Sequence, residues 1–256
     1  MTVHFVGAGP GAPDLVTVRG ADLIARCPVV IFAGSLVPRV VVARARPDAR
    51  VLDSAGMTLD EILAEMREAH GRGEDVARVH TGDPLLFGST AEQMRRLDAL
   101  GIPYEVVPGV SSFTAAAAAL RRELTVPGVS QTVILARAAG RTPVPEGQDL
   151  ASLASHRATL ALFLSARRLD EAVAALAPAY GRDCPAAIVH RASWPDERVI
   201  RGRLGDLAAL ARAEGIDATA MVLVGPALDA EGFPASRLYA PEFGHAFRAA
   251  RTEGEG

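Results

Sequence analysis

The sequence predicts an α/β protein of two domains, each built on an open, mostly parallel-stranded mixed sheet, with a cleft between them. Three observations predict it. Short β-branched runs alternate with segments of helical apolar spacing along the 256 residues. Three glycine-rich segments each follow an apolar run: Val6-Gly7-Ala8-Gly9-Pro10-Gly11, Thr81-Gly82-Asp83-Pro84-Leu85-Leu86-Phe87-Gly88, and Val107-Pro108-Gly109-Val110-Ser111-Ser112. A change of composition at Arg121-Arg122-Glu123-Leu124-Thr125-Val126-Pro127-Gly128 reads as a connection into a second unit. The domains are accordingly placed at residues 1–120 and 121–243, and the tail 244–256, ending Thr252-Glu253-Gly254-Glu255-Gly256, is expected to fray.

The first unit repeats strand, loop and helix. Val3 to Val6 is a strand, and Thr17 to Arg26 a helix with Asp14 or Thr17 available as N-cap. Val29 to Phe32 is a second strand and Pro38 to Arg44 a short helix. Thr58 to His70 carries Leu59, Ile62, Leu63 and Met66 at helical spacing, with Thr58 and Glu61 as a capping box. Val76 to His80 and Tyr104 to Val107 are strands separated by a helix near Ala91 to Leu100, and the Ala-rich Ser111 to Leu120 is a buried helix. In the second unit, strands are expected at Thr132 to Ala136, Leu160 to Leu164, Ala186 to Val189 and Met221 to Val224. Helices fall at Leu169 to Ala177 and Asp206 to Ala213, and Ala139 to Gln148 is a Pro/Gly loop able to border a cleft.

Composition narrows the function. With 27 basic and 30 acidic residues the net charge is −3, which argues against a general nucleic-acid binder. No apolar run approaches the roughly 20 residues that span a bilayer. Met1-Thr2-Val3-His4-Phe5 enters a strand without a signal-peptide core, so a cytoplasmic, membrane-free protein is expected. Cys27 and Cys184 form no Cys-x-x-Cys pair, and the six histidines show no ligand spacing, so neither a disulfide framework nor a bound metal is indicated. All 27 basic residues are Arg, which excludes Schiff-base and Walker lysines. Codon bias accounts for that usage, and Arg also suits bidentate carboxylate recognition.

Three glycine loops at the strand ends of one open sheet converge on a crevice, a layout of cofactor enzymes. Gly7-x-Gly9-x-x-Ala12 formally fits a dinucleotide fingerprint. Pro10 and Pro13 oppose that reading, because they remove N–H donors where a pyrophosphate would sit. The ribose-binding acid is missing too, since the second strand ends Phe32-Ala33-Gly34-Ser35. Alone, the first loop is equally a tight turn. Asp83 is either an Asx-turn residue or a partner for a ligand's amino group.

Gly7-Ala8-Gly9-Pro10-Gly11 followed by Asp14-Leu15-Val16-Thr17, then Thr81-Gly82-Asp83-Pro84, then Val107-Pro108-Gly109-Val110-Ser111-Ser112, resembles the tetrapyrrole methylases. These are S-adenosylmethionine-dependent enzymes of corrin and sirohaem synthesis, and the resemblance runs in order from Val3 to about Ala227. Uroporphyrinogen-methylating members carry an Asp-Arg-Leu-type segment after the second strand. Ala33-Gly34-Ser35-Leu36-Val37-Pro38 and Leu124 to Arg137 are instead similar to the branch that methylates ring carbon 11.

The resemblance implies a two-domain α/β homodimer that holds a folded S-adenosylmethionine between its domains and releases S-adenosylhomocysteine. Carried over by position, the cofactor residues are Pro10, Thr81, Gly82, Asp83, Leu86, Ser111 and Ser112, with Leu164, Ala192, Ala220 and Met221 from the second domain. Leu164 stands where relatives often have Met, and Ala192 where they often have Gly. The tetrapyrrole substrate is assigned to Gly9, Gly11, Ser35, Arg39, Arg137 and Arg191. Each of these arginines, taken alone, reads more readily as a solvated surface residue than as a substrate contact. No catalytic base is assigned, and transient contact with neighbouring pathway enzymes is compatible with this function. Three other readings stay open: methylation at C-2/C-7, C-17 or C-20, a nicotinamide-dependent oxidoreductase, and a non-catalytic tetrapyrrole carrier.

Overall fold

A computed structural model describes residues 1–250. Strands β1 (Val3–Gly7), β2 (Val29–Phe32), β3 (Arg50–Asp53), β4 (Val76–His80) and β5 (Tyr104–Val107) form a five-stranded sheet in the order β3-β2-β4-β1-β5. Every pairing in it is parallel. Helices α1 (Val18–Arg26) and α2 (Arg39–Val42) cover one face over Val6, Val30 and Val79. Helices α3 (Leu59–Gly71) and α4 (Thr90–Ala99) cover the other over Phe5, Ile31 and Val76. Burial on both faces is why the inner strands read as unbroken apolar runs. The sequence reading has no strand at β3, a four-residue edge strand largely exposed to solvent.

Local signals set the helix starts. Thr58 and Glu61 form the expected capping box: the Thr58 N–H donates to Glu61 Oε2 at 2.6 Å, and the Glu61 N–H donates to Thr58 Oγ1 at 3.3 Å. Thr17 rather than Asp14 caps α1, accepting from the Gly20 N–H, while Asp14 sits in a single 3-10 turn.

The second sheet contains β6 (Val133–Arg137), β7 (Thr159–Phe163), β8 (Pro185–His190), β9 (Arg198–Arg203) and β10 (Ala220–Val224) in the order β6-β7-β10-β8-β9. Here β6 and β7 are parallel and the other pairings antiparallel. Helices α6 (Leu150–Ala154), α7 (Leu169–Tyr180) and α8 (Leu207–Ala213) pack on one face. The other face receives α5 (Ser112–Leu120), whose Ala115, Ala116 and Leu120 sit against Ala161, Val189 and Leu223. Helix α5 follows β5 in the chain yet buries its apolar side on the second sheet. Neither α6 nor β9 is foreseen by the sequence reading: α6 is a single turn and a half, and β9 is an arginine-studded edge strand. Within the tail, residues 244–250 close a turn in which the His245 N–H donates to Arg248 O at 2.8 Å; residues 251–256 lie outside the described residues.

Two polar side chains of β4 point into the α3/α4 layer. Arg78 donates to Gln93 Oε1 at 3.1 Å and to Ser54 Oγ at 2.9 Å, and burial pulls its pKa down to about 10. His80 is 5% exposed, with no hydrogen-bond partner for Nε2 among the described residues. Burial, and then the Arg78 charge, push its pKa from 6.5 down to about 3. The folded protein therefore keeps His80 neutral, whereas the unfolded chain takes up a proton near pH 6.5. Stability from this site is complete above that value and is lost as the pH falls toward 3. Urea titrations from pH 7 to 4 are expected to show a wild-type stability falling relative to His80→Asn, by at most about 1.4 kcal/mol per pH unit. Parallel stability curves for the two proteins would contradict a neutral His80.

Candidate active site

The site begins with strand order. β4, β1 and β5 are neighbours, so the three glycine loops leave adjacent strands at their carboxyl ends. The chain runs from β1 out to β2 on one side and from β4 to β5 on the other, which makes β1/β4 a topological switch point.

The loops lock together through backbone. The Gly82 N–H donates to Gly9 O at 2.8 Å, and the Gly9 N–H donates to Gly82 O at 3.3 Å. Asp83 ties the second loop to the third: its Oδ2 accepts from the Gly109 N–H at 3.1 Å, and its Oδ1 accepts from the Leu85 N–H at 2.8 Å. Asp83 is thus an Asx-turn residue whose carboxylate also anchors a neighbouring loop. A Cβ on Gly7 would lie 2.5 Å from Gly109 Cα, and one on Gly109 would lie 2.1 Å from Gly82 O. Only glycine fits at these crossings.

Facing the loops, the second sheet presents the ends of β7 and β8 and the start of β10. Between them lies a cavity of about 500 Å3. From the first half, Pro10, Thr81, Gly82, Asp83, Leu86, Ser111 and Ser112 line it; from the second, Leu164, Ala192, Ala220 and Met221. Ser35 and Arg191 line it as well. The other assigned residues lie elsewhere. Gly9 is engaged in the loop lock, and Gly11 lies beneath the Trp194 ring. Arg39 faces a separate surface hollow with Val42, Arg46 and Asp53. Arg137 turns onto its own loop, donating to Thr142 O at 3.1 Å and Pro143 O at 2.7 Å, because the Ala139–Gln148 segment places carbonyls beside it.

Several lining residues were not anticipated. Phe87 from the second loop stacks on Phe163 at the end of β7, with ring centroids 4.7 Å apart, so an aromatic pair spans the two halves. Arg167 and Asp217 pair at 3.1 Å and also line the cavity. Phe87 belongs to the second glycine-rich segment, whereas Phe163, Arg167 and Asp217 carry no local signature. Phe87, Leu164, Arg191 and Thr219 have φ of 55°, 54°, 49° and 50°, left-handed values that cost a non-glycine residue free energy. All four line the cavity.

The electrostatics favour a ligand held by backbone and apolar surface. The N-terminus of α5 opens at Ser111, which makes no side-chain capping bond, and Ser111 and Ser112 bring this uncapped helix start to the cavity wall. Of the two lining carboxylates, Asp83 accepts backbone N–H groups and Asp217 pairs with Arg167. Among the described residues, no histidine lines the cavity. His190 stands just outside, its pKa lowered by burial and then by Arg198 and Arg191. Among the described residues, no group of three His, Cys, Asp or Glu side chains could hold a metal ion.

This architecture, with its site at the meeting of two unlike sheets, is that of a known class. Residues 2–208 match the Tetrapyrrole (Corrin/Porphyrin) Methylases, and the chain belongs to that family. It is 52% identical over 248 residues to the precorrin-4 C(11)-methyltransferase of Pseudomonas aeruginosa, covering 97% of this chain and 99% of that one. It is 44% identical to the cobalt-precorrin-4 C(11)-methyltransferase of Methanocaldococcus jannaschii, covering 96% and 95%. The crystal structure of a cobalamin biosynthetic enzyme, cobalt precorrin-4 methyltransferase, superimposes with a TM-score of 0.87 at 46% identity, covering 90% of this chain and 96% of that one. A uroporphyrin-III C-methyl transferase from Thermus thermophilus, complexed with S-adenyl homocysteine, superimposes with a TM-score of 0.73 at 29% identity, covering 89% and 99%.

The loop crossing gives a direct test. Gly109→Ala is expected to lower stability by about 1–3 kcal/mol or more, because the added methyl meets backbone that cannot yield. Gly56→Ala, where a Cβ meets nothing within 4 Å, serves as the control. Equal melting temperatures for the two variants would mean that the loops do not cross as closely as described.

Proposed function

We propose that this chain transfers the methyl group of S-adenosylmethionine to carbon 11 of precorrin-4, or of its cobalt complex, giving precorrin-5 in cobalamin biosynthesis and releasing S-adenosylhomocysteine. One observation carries the proposal. The positions that the family resemblance assigns to the cofactor, scattered from Pro10 to Met221, surround a single cavity. The chain matches precorrin-4 C(11)-methyltransferases over nearly its whole length and theirs.

The residues present suit that cofactor. The volume of about 500 Å3 is in the range of small-molecule sites, roughly 300–1,000 Å3. Val189, Ala192 and Met221 offer an apolar wall to a purine, and the uncapped start of α5 offers N–H groups to a carboxylate. S-adenosylmethionine supplies an electrophilic methyl on a sulfonium sulfur, which the ring carbon takes by in-line displacement. A carbon–carbon bond forms, the carbon–sulfur pair returns to sulfur, and the substrate loses a proton. The protein's part is alignment and exclusion of water, effects that can supply roughly 7–11 kcal/mol. Pro10, Leu86 and Leu164 line the cavity around the reacting centre, and the carboxylate arms of the macrocycle meet the remaining donors of Arg167 and Arg191, which already pair with Asp217 and Asp196.

The two halves divide as domains at residues 120/121, with α5 of the first seated on the sheet of the second. A cytoplasmic homodimer is part of this reading; no helix among the described residues is long and apolar enough to cross a membrane. The nicotinamide alternative loses ground, because α1 starts at Val18, well beyond the first glycine loop, and a 3-10 turn at Pro13–Leu15 lies between.

Saturating S-adenosylhomocysteine, at about 100 times its dissociation constant, should add roughly 2.7 kcal/mol of stability and visibly raise the melting temperature, while NAD should not. Precorrin-4 and labelled donor should then yield labelled precorrin-5. A shift with NAD alone would overturn the cofactor assignment. Labelling of another precorrin or of uroporphyrinogen, with precorrin-4 inert, would move the chain to another branch.

A further inference from the structure

The sequence contains one tryptophan, Trp194, in the turn between β8 and β9. Its indole crosses from the second half to the first and lies on Gly11, where a Cβ would come within 2.1 Å of the ring. The indole Nε1–H donates to Pro10 O at 2.9 Å, and the Ala12 N–H donates to Ser193 Oγ at 3.0 Å. The β8–β9 turn therefore grips the first glycine loop on both sides of Gly11.

The turn itself is held in a strained shape. Arg191 and Ser193 have φ of 49° and 68°. The Ser193 N–H donates to Glu197 Oε2 at 2.6 Å and the Trp194 N–H to Arg191 O at 2.9 Å. The Arg191 guanidinium lies 5.3 Å from the indole centroid, over the ring, and pairs with Asp196, so the indole is held from within its own turn as well as by the loop. Strain of this size persists only where surrounding contacts over-determine it. Pro10, on one side of the clamp, and Arg191, on the other, both line the cavity. Proline has no N–H, so the Pro10 carbonyl is the peptide group by which this position can be held.

We infer that Trp194 is a positioning residue: it fixes Pro10 against the methyl-donor end of the cavity and closes the first glycine loop onto the second half. The inference rests on the cofactor reading above. A merely structural tryptophan would change stability without changing ligand affinity.

Three variants, one of them measured without ligand, separate the cases. W194F keeps an aromatic ring on Gly11 and removes the N–H; W194A removes both. With circular dichroism unchanged, W194F is expected to weaken S-adenosylhomocysteine binding in calorimetry by about 3- to 10-fold, the effect of one lost hydrogen bond. W194A should weaken it further and reduce turnover number. G11A should expel the indole, red-shifting the emission of the sole tryptophan and raising its quenching by acrylamide without any ligand present. Wild-type affinity and turnover in both Trp194 variants would overturn the positioning role. Unchanged emission and quenching in G11A would overturn the clamp while leaving cofactor binding intact. A wild-type protein that binds no S-adenosylhomocysteine, with the G11A response present, would overturn the cofactor reading and the positioning role with it.

Discussion

Backbone meets backbone where Gly7, Gly82 and Gly109 cross, and the site depends on that approach. Strand order brings the loops together, but adjacency leaves them free to splay apart. The missing side chains at Gly7 and Gly109, and the Asp83 carboxylate that holds Gly109, fix one loop upon another. Pro10, Thr81 and Ser111 then take their places on the cavity wall because the loops that carry them have nowhere else to go. Packed backbone of this kind transmits a displacement instead of absorbing it.

Helix α5 carries the same constraint into the second half. Its start faces the cavity beside the third loop, and its alanine face lies on Ala161, Val189 and Leu223. Small side chains let helix and sheet approach closely, so the loop lock is coupled to the opposite wall. Phe87 against Phe163 makes a second link across the cleft, at the cost of a left-handed φ at Phe87. The cavity is thus bounded by elements that each belong to one half in sequence and touch the other in space.

What was legible in the sequence follows from this arrangement. Inner strands such as β1, β2 and β4 are buried on both faces and announce themselves as apolar runs; β3 and β9 are edges, exposed and charged, and do not. The loop residues were readable because glycine and proline mark sharp turns and close approaches locally. Gly9 and Gly11 belonged to the right motif but serve the loop crossing and the Trp194 contact, since a glycine in a ligand loop is as often needed by neighbouring chain as by ligand. Arg137 stands at the end of β6, and nearby carbonyls claim its guanidinium. Trp194, Phe163 and Asp217 reach the site through contacts far apart in sequence, which no local pattern encodes.

The polar inventory says how the site must work. Both lining carboxylates are already engaged, the histidines lie outside, and His80, the nearest to a glycine loop in sequence, is buried and neutral. Among the described residues the cavity lining is therefore poor in free carboxylates and imidazoles, and the surrounding backbone sets its shape. The segment Ala33 to Pro38 shows how shape is held. The Gly34 N–H donates to Asp53 Oδ1 at 3.1 Å, and a Cβ at Gly34 would collide with that carboxylate. Ser54 donates to Phe32 O at 3.0 Å while accepting from Arg78 at 2.9 Å. A buried arginine without a carboxylate partner is costly. Here its hydrogen bonds run, through Ser54, to the strand end from which Ser35 and Leu36 enter the cavity. The edge strand that the sequence conceals therefore sets the position of the loop that carries Ser35 and Leu36 to the cavity wall.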